Sequence, residues 1–388
     1  MDFTLSEEEQ LLADSVNRLI EKDYGFERRM AITRTDEGYS PEVWGAIAEM
    51  GLLGLPLAEA DGGFGAGTTG MISVMAAMGT GLVVEPYVST LICARLVAAG
   101  GADPVRGEVL EAVVGGECKL ALAHGERDSR YRLSSVTTSA KRAGDNWVLD
   151  GEKSLVVHAP MADRLLVSAR TAGRPDDEDG ISLFLVDAQA KGLQMKTLRT
   201  VDNLRAADLS LSGVKVSDSC RIGEAGAAYA LLDEAADFGS LLYCAEAVGV
   251  MNDANAMTLE YLKTRKQFGA PIGSFQALQH RMVDMTVSAF QSKSIVLLAC
   301  SRFDDASAGK LSAGERRRAV SAAKIKVADA ARQVGQEAIQ LHGGMGMTQE
   351  MKVSHSFKRL TMLAQVFGDA DHHLARFARE DAALYEAG

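Results

Sequence analysis

The period of the hydrophobic pattern changes twice along the chain, and this constrains the fold more than any single motif. Up to about residue 116 apolar residues recur at helical spacing. Leu11, Leu12, Val16, Leu19 and Ile20 follow Ser6 and Glu9, an S-x-x-E pair able to cap a helix start reciprocally. Ser40 before Pro41 reads as an N-cap and first helical residue. Val43, Trp44, Ile47 and Met50 then share a face, and Gly51 is placed to end that helix. LPLAEADGGFG reads as a loop and MISVMAAMGTGL as a further helix. From about 117 to 225 the runs become short and β-branched: KLALAHG, SSVTTSAKRAG, NWVLDGEK, SLVVH, RLLVSART, ISLFLVDA and LSLSGVKV. Turn residues such as Asp150-Gly151 and PDDEDG separate them, and this spacing predicts a barrel or sandwich. From about 226 to 388 helical patterns return, with Leu241, Ala245, Val248 and Met251 on one face. Leu278, Met282, Met285 and Ala289 share another, as long helices packed into a bundle require. The expected domains are therefore 1–116, 117–225 and 226–388.

Composition bears on which partners fit. The 388 residues are 47% hydrophobic and 24% charged, within the range of soluble globular proteins. A net charge of -11 argues against bulk binding to nucleic acid or to anionic membrane. It leaves room for a phosphate-bearing ligand held by a few arginines. The five cysteines are scattered, odd in number and lack a C-x-x-C pair, which predicts reduced thiols and a cytoplasmic setting. MDFTLSEEEQ has no signal-peptide pattern, and no run approaches eighteen apolar residues, so no membrane span is expected.

Three stretches carry chemistry, each with a plainer alternative. In YLKTRKQFGAPIGSFQALQHRM a helix is expected to end near Gly269 and another to start near Ser274. Arg265 either complements the helix C-terminus or offers its planar fork to a pyrophosphate. In QLHGGMGM the paired glycines either end a helix or admit a ligand close to the backbone. In FGDADHHLARF, Asp369, Asp371, His372 and His373 resemble a metal cluster at first sight. Adjacent histidines on a helix diverge by about 100°, however, so helix N-capping by the aspartates is the stronger reading and no metal is expected.

Taken together, these segments resemble the acyl-CoA dehydrogenase family over nearly the whole chain. The resemblance rests on FTLSEEEQ, MGLLGLPLAEADGGFG, VLDGEKS and DRLLVSART, and most of all on RKQFGAPIGSFQALQ with QLHGGMGM. It implies an α+β fold, with an N-terminal helical domain, a middle β-barrel and a C-terminal four-helix bundle. It also implies FAD-dependent desaturation of an acyl-CoA thioester between Cα and Cβ, with electron-transferring flavoprotein as the acceptor. The family removes the α-proton with a carboxylate. That base is typically the Glu of an E-G-T motif about twenty residues after the paired glycines. Here the position is Phe367, followed by Gly368 and Asp369. Relatives that carry the base on the first long C-terminal helix match Gly239, with Glu234 and Asp237 nearby. The family's T-E-P-x-x-G-S-D segment is here AHGERDSRY, and its W-[IV]-T segment is Ser154-Leu155-Val156.

What is kept is the set that reaches a neighbouring subunit's FAD in homotetrameric members. The resemblance implies cofactor contacts from Arg265, Gln267, Phe268, Ile272, Phe275, Gln276, Gln340, Gly343 and Gly344, with Asp369 and Asp371 beside them. Such a pattern is similar to the non-catalytic small subunit of heteromeric, α2β2 acyl-CoA dehydrogenases. Two rivals stay open at this point. One is a self-sufficient homotetrameric dehydrogenase or related flavin oxidase using Asp369 or Asp237 as base, and the other is a purely structural subunit.

Overall fold

The computed structural model describes residues 7–386, without the side chains of Glu8, Glu9 and residues 381–386. The proposed Ser6–Glu9 cap therefore lies outside the described residues. The chain opens with six helices: α1 (Glu7–Asp23), α2 (Phe26–Ile32), α3 (Pro41–Glu49), α4 (Ile72–Gly81), α5 (Tyr87–Gly100) and α6 (Val105–Val114). α3 starts and stops where its sequence signals stand. Ser40 Oγ accepts from Val43 N at 3.3 Å, and Gly51, at φ +71°, follows the last turn.

A sheet follows, built from β1 (Leu120–Ala123), β2 (Ser139–Ala143), β3 (Asn146–Val157), β4 (Arg164–Arg170), β5 (Ile181–Asp187), β6 (Leu193–Arg199), β7 (Arg205–Ser217) and β8 (Arg221–Ile222). The order is β6-β7-β3-β2-β4-β5-β8, and β1 pairs with β4 in parallel. This corrects the expectation of a closed barrel. The end strands β6 and β8 do not pair, and β2 meets β4 through one residue pair, Ser139 with Arg170. The physical reason lies at the ends: β8 is two residues long, and β6 is largely solvent-facing, so neither offers an apolar edge to close on. Asp150-Gly151 is likewise not a turn. It lies within β3 opposite a bulge in β7, where Ser212 and Gly213 stand against Asp150 alone and Gly151 adopts φ +149°. Inward residues of the strands, among them Leu149, Leu165, Val167, Phe184, Ala207 and Leu209, make one core with Trp147 tilted on Phe184 at 5.5 Å.

The remainder is helical apart from one short hairpin: α7 (Tyr229–Thr264), β9 (Lys266–Gln267), β10 (Ala270–Pro271), α8 (Gln276–Ser307), α9 (Ala313–His342), α10 (Lys352–Leu363) and α11 (Ala370–Glu386). α9 is the hub and packs on α8, α10 and α11. Its start carries a full capping box between Ser312 and Glu315.

By compactness the chain forms two units. One comprises Met1–Met30, Gly67–Val83 and Ser240–Gly388, and the other Ala31–Ala66 and Val84–Gly239. In the first, α4 is pressed against α7 at two glycines. A Cβ on Gly79 would lie 2.2 Å from Glu246 O, and one on Gly249 1.9 Å from Ala76 O. The same unit ties residues 68–69 to α8, because the Asp304 carboxylate accepts from both the backbone N–H and the hydroxyl of Thr68 and of Thr69. In the second, α5 is buried along most of its length and packs on β1.

Candidate functional site

α7 ends at Thr264, one turn earlier than its sequence suggests, because the chain turns straight into a hairpin. Lys266 and Gln267 pair with Pro271 and Ala270 across Phe268-Gly269, both at positive φ (+56° and +80°). That geometry matches the twist of a two-residue hairpin, and it costs a phenylalanine on the order of 1–2 kcal/mol. Arg265 N donates to Tyr261 O and Ile272 N donates to Arg265 O, so both ends of the hairpin are fixed to α7. α8 starts at Gln276 behind a single 3-10 turn over Ile272–Ser274.

Phe268 is 93% exposed and meets the edge of Phe275 at 6.2 Å. Arg265, Gln267, Phe275 and Gln276 are exposed and Ile272 is half-buried. No ion pair engages Arg265 among the described residues. The glycine turn sits beside this hairpin. Tyr261 stacks on His342 at 4.5 Å and 28°, and His342 is the last residue of α9. Burial holds the His342 imidazole below its ordinary range, while its Nδ1 lies 2.8 Å from Ala338 O. Gly343 turns at φ +59°; a Cβ on Gly343 or Gly344 would meet nothing within 4 Å, and Gln340 is exposed. The retained residues thus share one open shelf with a free guanidinium, apolar rings and bare backbone. It suits an anionic, flat ligand or a second chain.

The segment carrying Phe367 is the opposite in character: every part of it is held. Lys324 Nζ donates to Leu363 O at 3.0 Å and Val366 O at 2.7 Å, beyond the end of α10. His373 Nε2 lies 3.0 Å from Phe367 O. Phe367 has φ +57°, and its ring tilts over Tyr243 at 6.1 Å. Arg359 stands 5.6 Å from the centroid of the Tyr243 ring and makes a buried two-pronged pair with Glu246 at 2.5 and 2.7 Å. Asp369 Oδ1 accepts from His372 N at 2.9 Å and so caps α11, as its position suggested. Asp371 is exposed in the first turn. The His372 and His373 rings are perpendicular, and among the described residues no cluster of three metal-ligating side chains occurs.

The other positions singled out in the sequence lie in the sheet-bearing unit. Gly239 and Asp237 are buried on α7, Asp237 is engaged by its surroundings, and Glu234 pairs with Arg95 at 3.0 Å. The AHGERDSRY segment is built around Lys153, whose fully buried ammonium donates to Glu126 Oε1 (2.8 Å), Ser168 Oγ (3.0 Å) and His124 O (3.1 Å). Glu126 also accepts from Thr137 and Thr138, closing the loop between them. Leu155 occupies a bulge at φ +51°, half exposed, and its N–H donates to Asp208. Ser154 N likewise donates to Gly125 O at 2.8 Å, so this stretch of backbone is engaged.

Sequence reasoning passed over Lys324, Tyr243 and the Glu246–Arg359 pair. Two signals were available: a lysine inside the apolar face Val320, Ala323, Val327, Ala331, and a glutamate inside YCAEAVGVM.

Known proteins agree with this architecture. Three family models match in order: the acyl-CoA dehydrogenase N-terminal domain over 6–117, the middle domain over 121–214 and the C-terminal domain over 226–380. The chain is similar to acyl-CoA dehydrogenase FadE27 of Mycobacterium tuberculosis, 27% identical over 383 residues and 98% of each protein. A chain of the ChsE4-ChsE5 complex from Mycobacterium tuberculosis superposes with TM-score 0.87 at 26% identity, over 98% of this chain and 99% of that one. PigA with FAD and proline superposes with TM-score 0.90 at 25% identity, over 98% and 99%.

Proposed function

The chain belongs to the acyl-CoA dehydrogenase family, and on that premise we propose that it is the non-catalytic, FAD-contacting subunit of a heteromeric acyl-CoA dehydrogenase. One contrast carries the proposal. The residues that would reach a neighbour's flavin face solvent on an open shelf, whereas the position of the proton-abstracting carboxylate holds Phe367.

The shelf fits FAD. Arg265 would hold the pyrophosphate, Gln340 and Gly344 would lie along the adenosine, and Phe268 and Ile272 would pack on the cofactor. Gln267, Phe275, Gln276 and Gly343 would surround them, and Asp371, expected beside them, stands apart in the first turn of α11. When bound, FAD accepts the hydride that leaves the β-carbon of the thioester. The α-proton needs a carboxylate within hydrogen-bond reach. A phenyl ring has no lone pair for it, and Asp369 is committed to capping α11, so a related catalytic chain supplies that group. The likeness to one chain of a two-protein complex supports an α2β2 assembly. The blocks 1–116, 117–225 and 226–388 are the domains of this subunit, acyl-CoA is the substrate of the assembly, and electron-transferring flavoprotein is its acceptor.

The test is co-purification followed by flavin counting. Arg265→Ala removes a charge-assisted fork worth about 1.5–3 kcal/mol, so FAD should bind roughly 10- to 150-fold more weakly to the assembly. Unchanged flavin content would refute the assignment. So would bleaching of flavin by a saturated acyl-CoA with this chain alone.

A further inference from the structure

We propose that Phe367 is a specificity-determining block that keeps an acyl thioester out of this chain's own reaction position. The proposal rests on the reading of position 367 given above. Its physical basis is that the backbone carrying the ring is held at four points.

The first restraint is Lys324, buried on α9, whose ammonium takes Leu363 O and Val366 O as partners. Those carbonyls lie at the end of α10, where backbone acceptors lack helical donors and the helix dipole favours a cation. The second is His373, with Nε2 3.0 Å from Phe367 O and Nδ1 3.3 Å from Ser321 Oγ, one turn from Lys324 on the same helix. The third is Gly368, at φ +120°. A Cβ there would lie 2.6 Å from His372 Cδ2 and 2.7 Å from His373 Nε2, so the backbone is already at contact. The fourth is Asp369, which fixes the first turn of α11 immediately beyond.

These restraints hold Phe367 in a left-handed conformation that a bulky side chain rarely adopts. The ring then tilts over buried Tyr243 at 6.1 Å, and Tyr243 also neighbours Arg359, which pairs with Glu246. A thioester whose α-carbon approached residue 367 closely enough for proton transfer would meet this ring. Burying an ammonium against carbonyls rather than a carboxylate is a costly way to fix a loop, and here it fixes the backbone that aims one side chain.

The test counts bound thioester. The full-length protein, with any chain that co-purifies, is dialysed against butanoyl-, octanoyl- and hexadecanoyl-CoA without electron acceptor. The wild type and Phe367→Leu, which keeps the bulk, should bind no thioester beyond the partner's complement. Phe367→Gly removes the ring and suits a positive φ, so it should fold and bind one further thioester per copy of this chain; Phe367→Ala replaces it where the glycine variant does not fold. A wild type that already carries one thioester per copy of this chain overturns the block. So does a small-side-chain variant that gains none at any length. Turnover by the wild-type chain without a partner defeats the subunit reading, whereas thioester bound to an inert wild-type chain defeats only the block.

Discussion

Removing Arg359 should be far more damaging than removing it together with Glu246. The two side chains are almost fully buried and joined by two short hydrogen bonds at 2.5 and 2.7 Å, linking α10 to α7. In Arg359→Met the Glu246 carboxylate is left inside the unit without its guanidinium. Breaking a buried pair in this way costs about 3–5 kcal/mol. The Arg359 contact with the Tyr243 ring adds about 1 kcal/mol that only the arginine variants lose. A unit of about 150–250 residues shifts its Tm by roughly 2–4 °C per kcal/mol, so the total of about 4–6 kcal/mol should lower it by about 8–24 °C. Glu246→Leu with Arg359→Met removes both charges and should recover most of that loss, because an apolar pair of similar volume is close to neutral. Urea unfolding of the wild type, both single variants and the double variant gives the coupling directly. Singles within 1 kcal/mol of wild type, or a double variant as unstable as the two losses added, would refute the reasoning.

Two further perturbations follow from groups described above. His124 is pushed down to about 3 by its burial and then by the Lys153 ammonium. The unfolded chain protonates this residue near 6.5, so its contribution is complete above that pH and drains as pH falls toward 3. Burial alone would raise Glu126, but the charge and hydrogen bond of Lys153 bring it to about 2, adding a second loss between pH 4.5 and 2. Stability measured against pH should therefore slope downward from about 6.5, and His124→Gln should flatten the upper part; an unaltered slope would count against the cluster. Gly368→Ala must force a Cβ into His372 and His373 at a φ that L residues avoid, costing about 1–3 kcal/mol. A thermal melt matching wild type would show that this backbone is not held as described.

The architecture was legible because period and punctuation agree with it. Helix α3 begins at Ser40-Pro41 and ends before Gly51, and the β-branched runs became strands. The failures have local causes. Asp150-Gly151 carries a turn signature, yet the strand continues through it because β7 pairs on both sides and absorbs the extra residue as a bulge. The polar, solvent-facing β6 lacks the β-branched pattern and went unnoticed. A barrel or sandwich was expected from the spacing of the runs, and a barrel from the family resemblance, but closure depends on edges, and edges are set by pairing that a one-dimensional pattern does not contain. At the site, Arg265 and the paired glycines each fit an ordinary helix end, and they stood out only through their joint match to the family's segments. Lys324 did not, since only the third dimension shows that its partners are carbonyls forty positions away in the chain.

The hairpin tip has a consequence for handling the protein. Phe268 stands 93% in solvent on a rigid two-residue turn, with Phe275 beside it and Met345 and Met347 also uncovered. A monomer that carries greasy side chains on a stiff protrusion is prone to self-association when produced by itself. Yield and solubility should therefore rise on co-expression with whatever chain shelters that tip, before any catalytic assay is run.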